Sequence, residues 1–152
     1  MTDFATHLHS LGIELPDLPA PAYSYVPFSR HGDTLYLSGQ ISRNAAGDIL
    51  EGRVGEDASI EDGIYAAEVA TINLLARIQQ AIGLDNVAQI LKLNVWVNST
   101  DEFIQQPLVA DGASQLLEKV FGEAGKHART ALPTHTLPQG ALVELDAVVA
   151  IK

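Results

Sequence analysis

The clearest periodic run in the chain follows Ser59. Ile60, Ile64, Ala67, Thr71, Leu74, Leu75, Ile78 and Ile82 recur at the spacing that gathers side chains on one face of a helix, and Gly83 ends the run. Ser59 and Asp62 stand at capping-box spacing, with Asp in place of the usual Glu. Gly63 falls inside this helix, where glycine costs about 1 kcal/mol relative to alanine. Residues 90–98 change to a period of two, with Leu91, Leu93, Val95 and Val97 on one face and Lys92, Asn94, Trp96 and Asn98 on the other. That alternation predicts a half-buried strand. A second helix is predicted over 106–121, turning Val109, Ala113, Leu116, Leu117 and Val120 inward. Strands are predicted at 23–30 and 34–41, joined around His31-Gly32-Asp33, and near 127–136 and 141–151, separated by Pro138-Gln139-Gly140. Segment 42–58 is polar and glycine-rich and reads as a loop. Residues 2–11 read as a short helix, with Thr2 as N-cap and Gly12 as stop, followed by an extended arm carrying Pro16, Pro19 and Pro21.

The expected organisation is therefore an N-terminal helix and arm over residues 1–22 and a single domain over 23–152, with the order ββαβαββ. Two helices on one face of a mixed sheet make an α+β fold. In the last strand Val143, Leu145, Ala147, Val149 and Ile151 point one way, and Leu142, Glu144, Asp146, Val148 and Ala150 the other. Both faces carry apolar side chains. The face away from the helices should then be covered at least in part, and the available cover is another subunit.

Composition narrows the function. At 152 residues and 47% hydrophobic the chain suits one well-packed domain. No apolar run approaches the roughly 18 residues of a membrane span, and residues 1–7 lack the basic and apolar regions of a signal peptide, so a cytoplasmic protein is expected. Nine basic residues are scattered among nineteen acidic ones, for a net charge of −10. Nucleic acid is accordingly a poor partner. With no cysteine there is no thiolate site or disulfide, and His7, His9, His31, His127 and His135 form no metal-binding spacing. There is no phosphate loop, dinucleotide fingerprint or Gly-x-Ser-x-Gly elbow. No cofactor is expected.

Three stretches carry a resemblance. The first is Tyr25 followed by Gly32-Asp33-Thr34-Leu35-Tyr36-Leu37-Ser38-Gly39-Gln40-Ile41. The second is Val95-Trp96-Val97-Asn98 with Asp101-Glu102-Phe103. The third is His127-Ala128-Arg129-Thr130-Ala131, then Leu137-Pro138, then Val143-Glu144-Leu145-Asp146-Ala147. In this order they resemble the RidA/YjgF family, whose third stretch usually reads Pro-Ala-Arg-Ser, Leu-Pro, and a strand opening on a hydrophobic residue and Glu. The likeness spans residues 23–152. Gly55 onward into the long helix and residues 121–129 are closer to a longer, less characterised branch. The resemblance implies a chorismate-mutase-like fold, a homotrimer with clefts between subunits, and enamine/imine deaminase activity without cofactor or metal.

Deaminases of that family hydrolyse 2-imino acids, or their enamine tautomers, to 2-oxo acids and ammonia. Such a substrate needs a cation for its carboxylate, and an arginine fork grips both oxygens; Arg129 matches that role. The plainer reading of Arg129 is an inter-subunit salt bridge. Water at the imine carbon needs a proton acceptor, which Glu144 matches, against the plainer reading of a strand carboxylate in an ion pair. Tyr25 is set to close the cleft, with Tyr23 two residues away as its competitor. Ser38 and Gly39 would line the pocket, and the backbone carbonyl near Ala131 would accept the imine N–H. Two departures stand out. Asp111 replaces a family Asn, and its charge near the cleft would oppose an anionic substrate. Leu132-Pro133 differs from the usual continuation, and Pro133 removes a ladder donor, as suits an edge strand. The alternatives are a trimer that holds a small carboxylate without turnover and, against the acidic charge, an RNA-cleaving or translation-inhibiting protein.

Overall fold

The computed structural model describes residues 3–152; Thr2, the predicted cap of the first helix, lies outside the described residues. In chain order the elements are α1 (Phe4–Ser10), β1 (Phe28–His31), β2 (Thr34–Ile41), α2 (Ile60–Ala81), β3 (Val87–Asn98), α3 (Gln106–Phe121), β4 (Ala128–Thr134) and β5 (Val143–Ile151). The five strands form one sheet in the order β1-β2-β5-β3-β4. Every pairing is antiparallel except β3 with β4, which α3 connects as a parallel crossover. This is the predicted α+β architecture. None of the described helices is long and apolar enough to cross a membrane.

Alternation in the strands aims one set of side chains at the helices. Leu35 and Leu37 of β2, Leu93, Val95 and Val97 of β3, and Val143, Leu145 and Val149 of β5 are buried against Ala67, Leu74 and Ile78 of α2 and Val109, Ala113 and Leu117 of α3. Each fully buried Val or Leu contributes roughly 1.5–3 kcal/mol relative to exposure. The capping box forms as its spacing predicts: the Asp62 N–H donates to Ser59 Oγ (3.1 Å) and the Ser59 N–H to Asp62 Oδ2 (2.9 Å). Gly63 proves to be a packing residue. A Cβ there would lie 3.1 Å from Val109 Cγ2, and one at Gly112 would strike the Ile64 carbonyl oxygen, so these two glycines let α2 and α3 cross closely.

Four expectations need correction. β1 begins at Phe28 rather than residue 23, and the preceding residues follow an irregular path in which the Tyr25 N–H donates to the Tyr23 carbonyl. β3 begins at Val87, three residues early, and its register slips between Ile90 and Lys92. That slip puts Ile90 in the core and leaves Leu91 42% exposed, because a bulge resets which residues of a two-residue repeat face inward. Leu142 is buried rather than facing away with Glu144, since it precedes β5 and its N–H donates to the Leu50 carbonyl. Segment 42–58 is anchored by bridges to Ala141 and Ser99 and inserts Val54 into the core.

The opposite face of the sheet is mixed. Lys92 donates to Thr130 Oγ1 and Asn94 to Asp146 Oδ1, each at 2.9 Å. Around them lie Trp96, Val148, and the half-exposed Tyr36 and Leu132. β4 is an edge strand, as Pro133 predicts. Phe4 of α1 packs at a tilt against Phe121 with ring centroids 5.8 Å apart, and Leu8 and Ile13 join the core. The arm then runs along α2, where Arg77 donates to the Pro19 carbonyl and Gln80 to that of Leu18.

Candidate active site in two halves

The first half is built on a defect in β2. Leu37 pairs with Ala147 and Gln40 with Leu145, so Ser38 and Gly39 together oppose the single residue Asp146. Such bulges re-aim side chains and often border functional sites. Here the bulge lies beside Glu144, whose carboxyl rests on Gly39; a Cβ at Gly39 would collide with Glu144 Oε2. The Ser-Gly-Gln sequence thus has a local cause: the strand widens, and its glycine makes room for an inward-leaning carboxylate. Ser38 Oγ donates to the Val26 carbonyl (2.6 Å) and the Ser38 N–H to that of Pro27, fixing the irregular segment that carries Tyr25. Tyr23, Tyr25, Ser38, Gly39 and Glu144 all line one cavity of about 810 Å³. Of the two tyrosines, Tyr25 is the more enclosed, 54% exposed against 81% for Tyr23.

Glu144 is half-buried, and burial raises its carboxyl above the ordinary range, with the neighbouring Asp146 carboxylate pushing the same way. Desolvation and a like charge both disfavour its ionised form. A carboxyl so tuned takes and returns protons closer to neutrality than a solvated one.

The second half lies on β4. Arg129 pairs with Leu93, a core residue, so its side chain leaves the sheet on the helix side and meets α3. Its Nη1 donates to Asp111 Oδ1 (2.8 Å) and to Ser114 Oγ (3.1 Å), and its Nη2 lies 3.4 Å from the Pro107 carbonyl oxygen. A carbonyl only accepts, so His127 Nδ1, 2.6 Å from the Gly125 oxygen, carries the ring proton. His127 Nε2 then accepts from Ser114 Oγ at 2.9 Å, which leaves that oxygen's lone pair for Arg129. Asp111, Ser114 and His127 therefore hold one edge of the guanidinium and leave the Nε–Nη2 edge with only the long Pro107 contact. Asp111 thus places a negative charge directly beside the Arg129 guanidinium. Ala131 is partly buried two residues along the same face.

The two halves do not meet within one chain. Glu144 pairs with Trp96, three residues beyond Leu93 on β3, and points to the opposite face from Arg129. Two strand spacings and three residues separate their Cα atoms by roughly 14 Å, with the sheet between the side chains. Tyr25, Ser38, Gly39, Asp111, Arg129, Ala131 and Glu144 were legible from the motifs, but Ser114 and His127 beside Arg129, and Arg43, Asn73 and Arg77 in the Glu144 cavity, were not. Only the His127-Ala128-Arg129 adjacency offered a hint. Among the described residues, no cluster of three His, Asp or Glu side chains is arranged to hold a metal ion.

A profile described as "YjgF/chorismate mutase-like, putative endoribonuclease" matches residues 5–149. Among curated proteins the chain is 42% identical to Protein TCP17 of Trypanosoma cruzi, over 97% of this chain and 93% of that one. It is 26% identical to a 2-iminobutanoate/2-iminopropanoate deaminase of Dermatophagoides farinae, over 92% and 95% of the two chains. A crystal structure of a "putative endoribonuclease" from Shewanella oneidensis superposes with a TM-score of 0.93 at 33% identity, covering 98% of this chain and 99% of that one. The bulged Ser-Gly-Gln strand, the Arg-bearing edge strand and these likenesses converge: the chain belongs to the YjgF/RidA family.

Proposed function

We propose that the protein is an enamine/imine deaminase that hydrolyses a 2-imino acid to a 2-oxo acid and ammonia, at sites formed between copies in a homotrimer. The observation that carries this reading is the division of the motif residues into an Arg129 half and a Glu144 half on opposite faces of the sheet. Neither half suffices alone. On the Arg129 side the acid–base groups, Asp111 and His127, are engaged in holding the guanidinium, and among the described residues no cation stands in ion-pair contact with the Glu144 carboxyl. Apposing the Arg129 edge of one copy to the Glu144 face of the next would supply both, and would also cover Tyr36 and Leu132.

In such a site the substrate carboxylate occupies the Nε–Nη2 edge of Arg129, and the imine carbon faces a water held by Glu144. The water oxygen bonds to that carbon as Glu144 takes its proton and passes it to the imine nitrogen, giving a carbinolamine and restoring the carboxylate. Glu144 then takes the carbinolamine hydroxyl proton and delivers it to the leaving nitrogen as the C–N bond breaks, so that a C=O group and ammonia result. Proton transfer of this kind contributes about 10²–10⁴-fold. The deaminase from Dermatophagoides farinae, similar over nearly the whole chain, supports this chemistry. The endoribonuclease wording attached to other relatives sits poorly with a net charge of −10.

The test is complementation. Arg129→Ala and Glu144→Gln should each abolish release of oxo acid from an imine generated by an amino-acid oxidase. Co-assembled in equal amounts, random trimers restore about a quarter of intact sites, because each site draws one half from each neighbour. Mixtures that stay inactive, from correctly assembled protein, would refute the shared site. Binding of 2-oxobutanoate without any turnover by wild type would favour the non-catalytic binder.

A further inference from the structure

The cavity beside Glu144 has a second chemical character at its other end. Arg43 and Arg77 both line it, as does Asn73, one helical turn before Arg77 on α2. Among the described residues neither arginine has a carboxylate within salt-bridge distance. Arg43 donates through Nη1 to the Gly47 carbonyl (3.1 Å). Arg77 is only 8% exposed; Nη1 donates to Gln80 Oε1 (2.9 Å) and Nη2 to the Pro19 carbonyl (2.7 Å), while its Nε is buried without any partner. Buried cations are ordinarily paired, because desolvation without a counter-charge is costly. Burial lowers the proton affinity of Arg77, with Tyr25 acting the other way.

Glu144 is not the missing counter-charge. Among the described residues no ion pair joins it to either arginine, and burial and the Asp146 carboxylate raise its proton affinity. The cavity is thus bipolar, with a proton-handling carboxyl at the bulge and two uncompensated guanidinium groups toward α2 and the arm. Its volume, about 810 Å³, lies high in the range of roughly 300–1,000 Å³ that holds drug-sized ligands. An imino acid of three or four carbons would leave most of it unfilled.

We propose that Arg43 and Arg77 form an anion subsite for a second acidic group, carboxylate or phosphate, at the tail of the substrate. This rests on the deaminase reading and names its substrate class: imino acids that are acidic at both ends. The head carboxylate meets Arg129 of the adjoining copy, the reacting carbon sits at Glu144, and the tail reaches the two arginines, whose planar forks match either acid. The arm completes the subsite by tying Pro19 to Arg77.

The experiment is a binding titration of the assembled protein with three non-reactive 2-oxo acids that share one head: 2-oxobutanoate, 2-oxoglutarate and 3-phosphohydroxypyruvate. At least one acidic-tailed ligand should bind tenfold or more tightly than 2-oxobutanoate, and the tighter of the two identifies the acid. In Arg43→Gln and in Arg77→Gln the ratio of acidic-tailed to apolar-tailed affinity should fall toward one. Because Arg77 also tethers the arm, the Arg43 variant guards against misfolding as the cause. Equal affinity for all three ligands, or a preference that survives both substitutions, would overturn the proposal. No turnover is required, so loss of the deaminase reading would appear separately, as failure of the wild type to hydrolyse any imine.

Discussion

Gly39 and Glu144 depend on each other at the scale of single residues. Because a methyl group at 39 would occupy the space of Glu144 Oε2, Gly39→Ala should displace the carboxyl. Overpacking of this kind typically costs about 1–3 kcal/mol. Oxo-acid release should fall with it, which a melting curve and an ammonia assay on one preparation would establish. Glu144→Gln should behave oppositely in stability. The folded protein holds the Glu144 proton more tightly than the unfolded chain, so ionising it costs stability. That cost is absent below the ordinary value of 4.5, grows as pH rises through the raised folded value, and is complete above it. The Gln variant should therefore melt above wild type near neutral pH, and the difference should vanish in acid. Catalysis should show the same group as an acid limb displaced toward neutrality. Asp111 was readable only as a departure from a motif; that it orients Arg129 through one edge of the guanidinium depended on α3 bringing residue 111 beside β4.

At the scale of elements, the two long helices were legible because apolar residues recur at helical spacing and the capping box fixes where α2 starts. What they do to each other was hidden. Gly63 looks like a flaw in a helix until Val109 is found against it, and Gly112 gives no signal at all. Gly112→Ala should force α2 and α3 apart against the Ile64 backbone, which cannot turn aside as a side chain can. A loss of about 1–3 kcal/mol is expected from denaturant titration, although alanine favours an isolated helix. The strands were less readable. The bulge in β3 and the bulge at Ser38-Gly39 both break a two-residue repeat, and nothing in the local sequence announces the slip at Ile90.

For the whole molecule, the sheet face opposite α2 and α3 is where apolar and polar side chains stand side by side with no covering layer among the described residues. Tyr36 and Leu132 stand half-exposed there, near Trp96 and Val148. If a neighbouring copy covers this face, Tyr36→Glu buries a charge at the interface. Light scattering should then show dissociation at micromolar concentration, and oxo-acid release should fall with it even though Glu144 and Arg129 are intact. Wild-type protein that scatters as a monomer would remove the shared site altogether.

The sequence by itself determined the element types, the α+β class, the edge position of the Pro133 strand and the family to which its motifs belong. Periodicity, caps and short motifs are local, and local chemistry decides them. Tertiary structure alone decided that Arg129 and Glu144 lie on opposite faces, because that depends on strand order and register, which pair residues far apart in sequence. It also decided that Arg43, in a loop, and Arg77, in a helix 34 residues on by the numbering, share one cavity with Glu144. Neither arginine carries a mark of that role in its own neighbourhood; the role comes from an arm, a helix and a bulged strand closing around the same space.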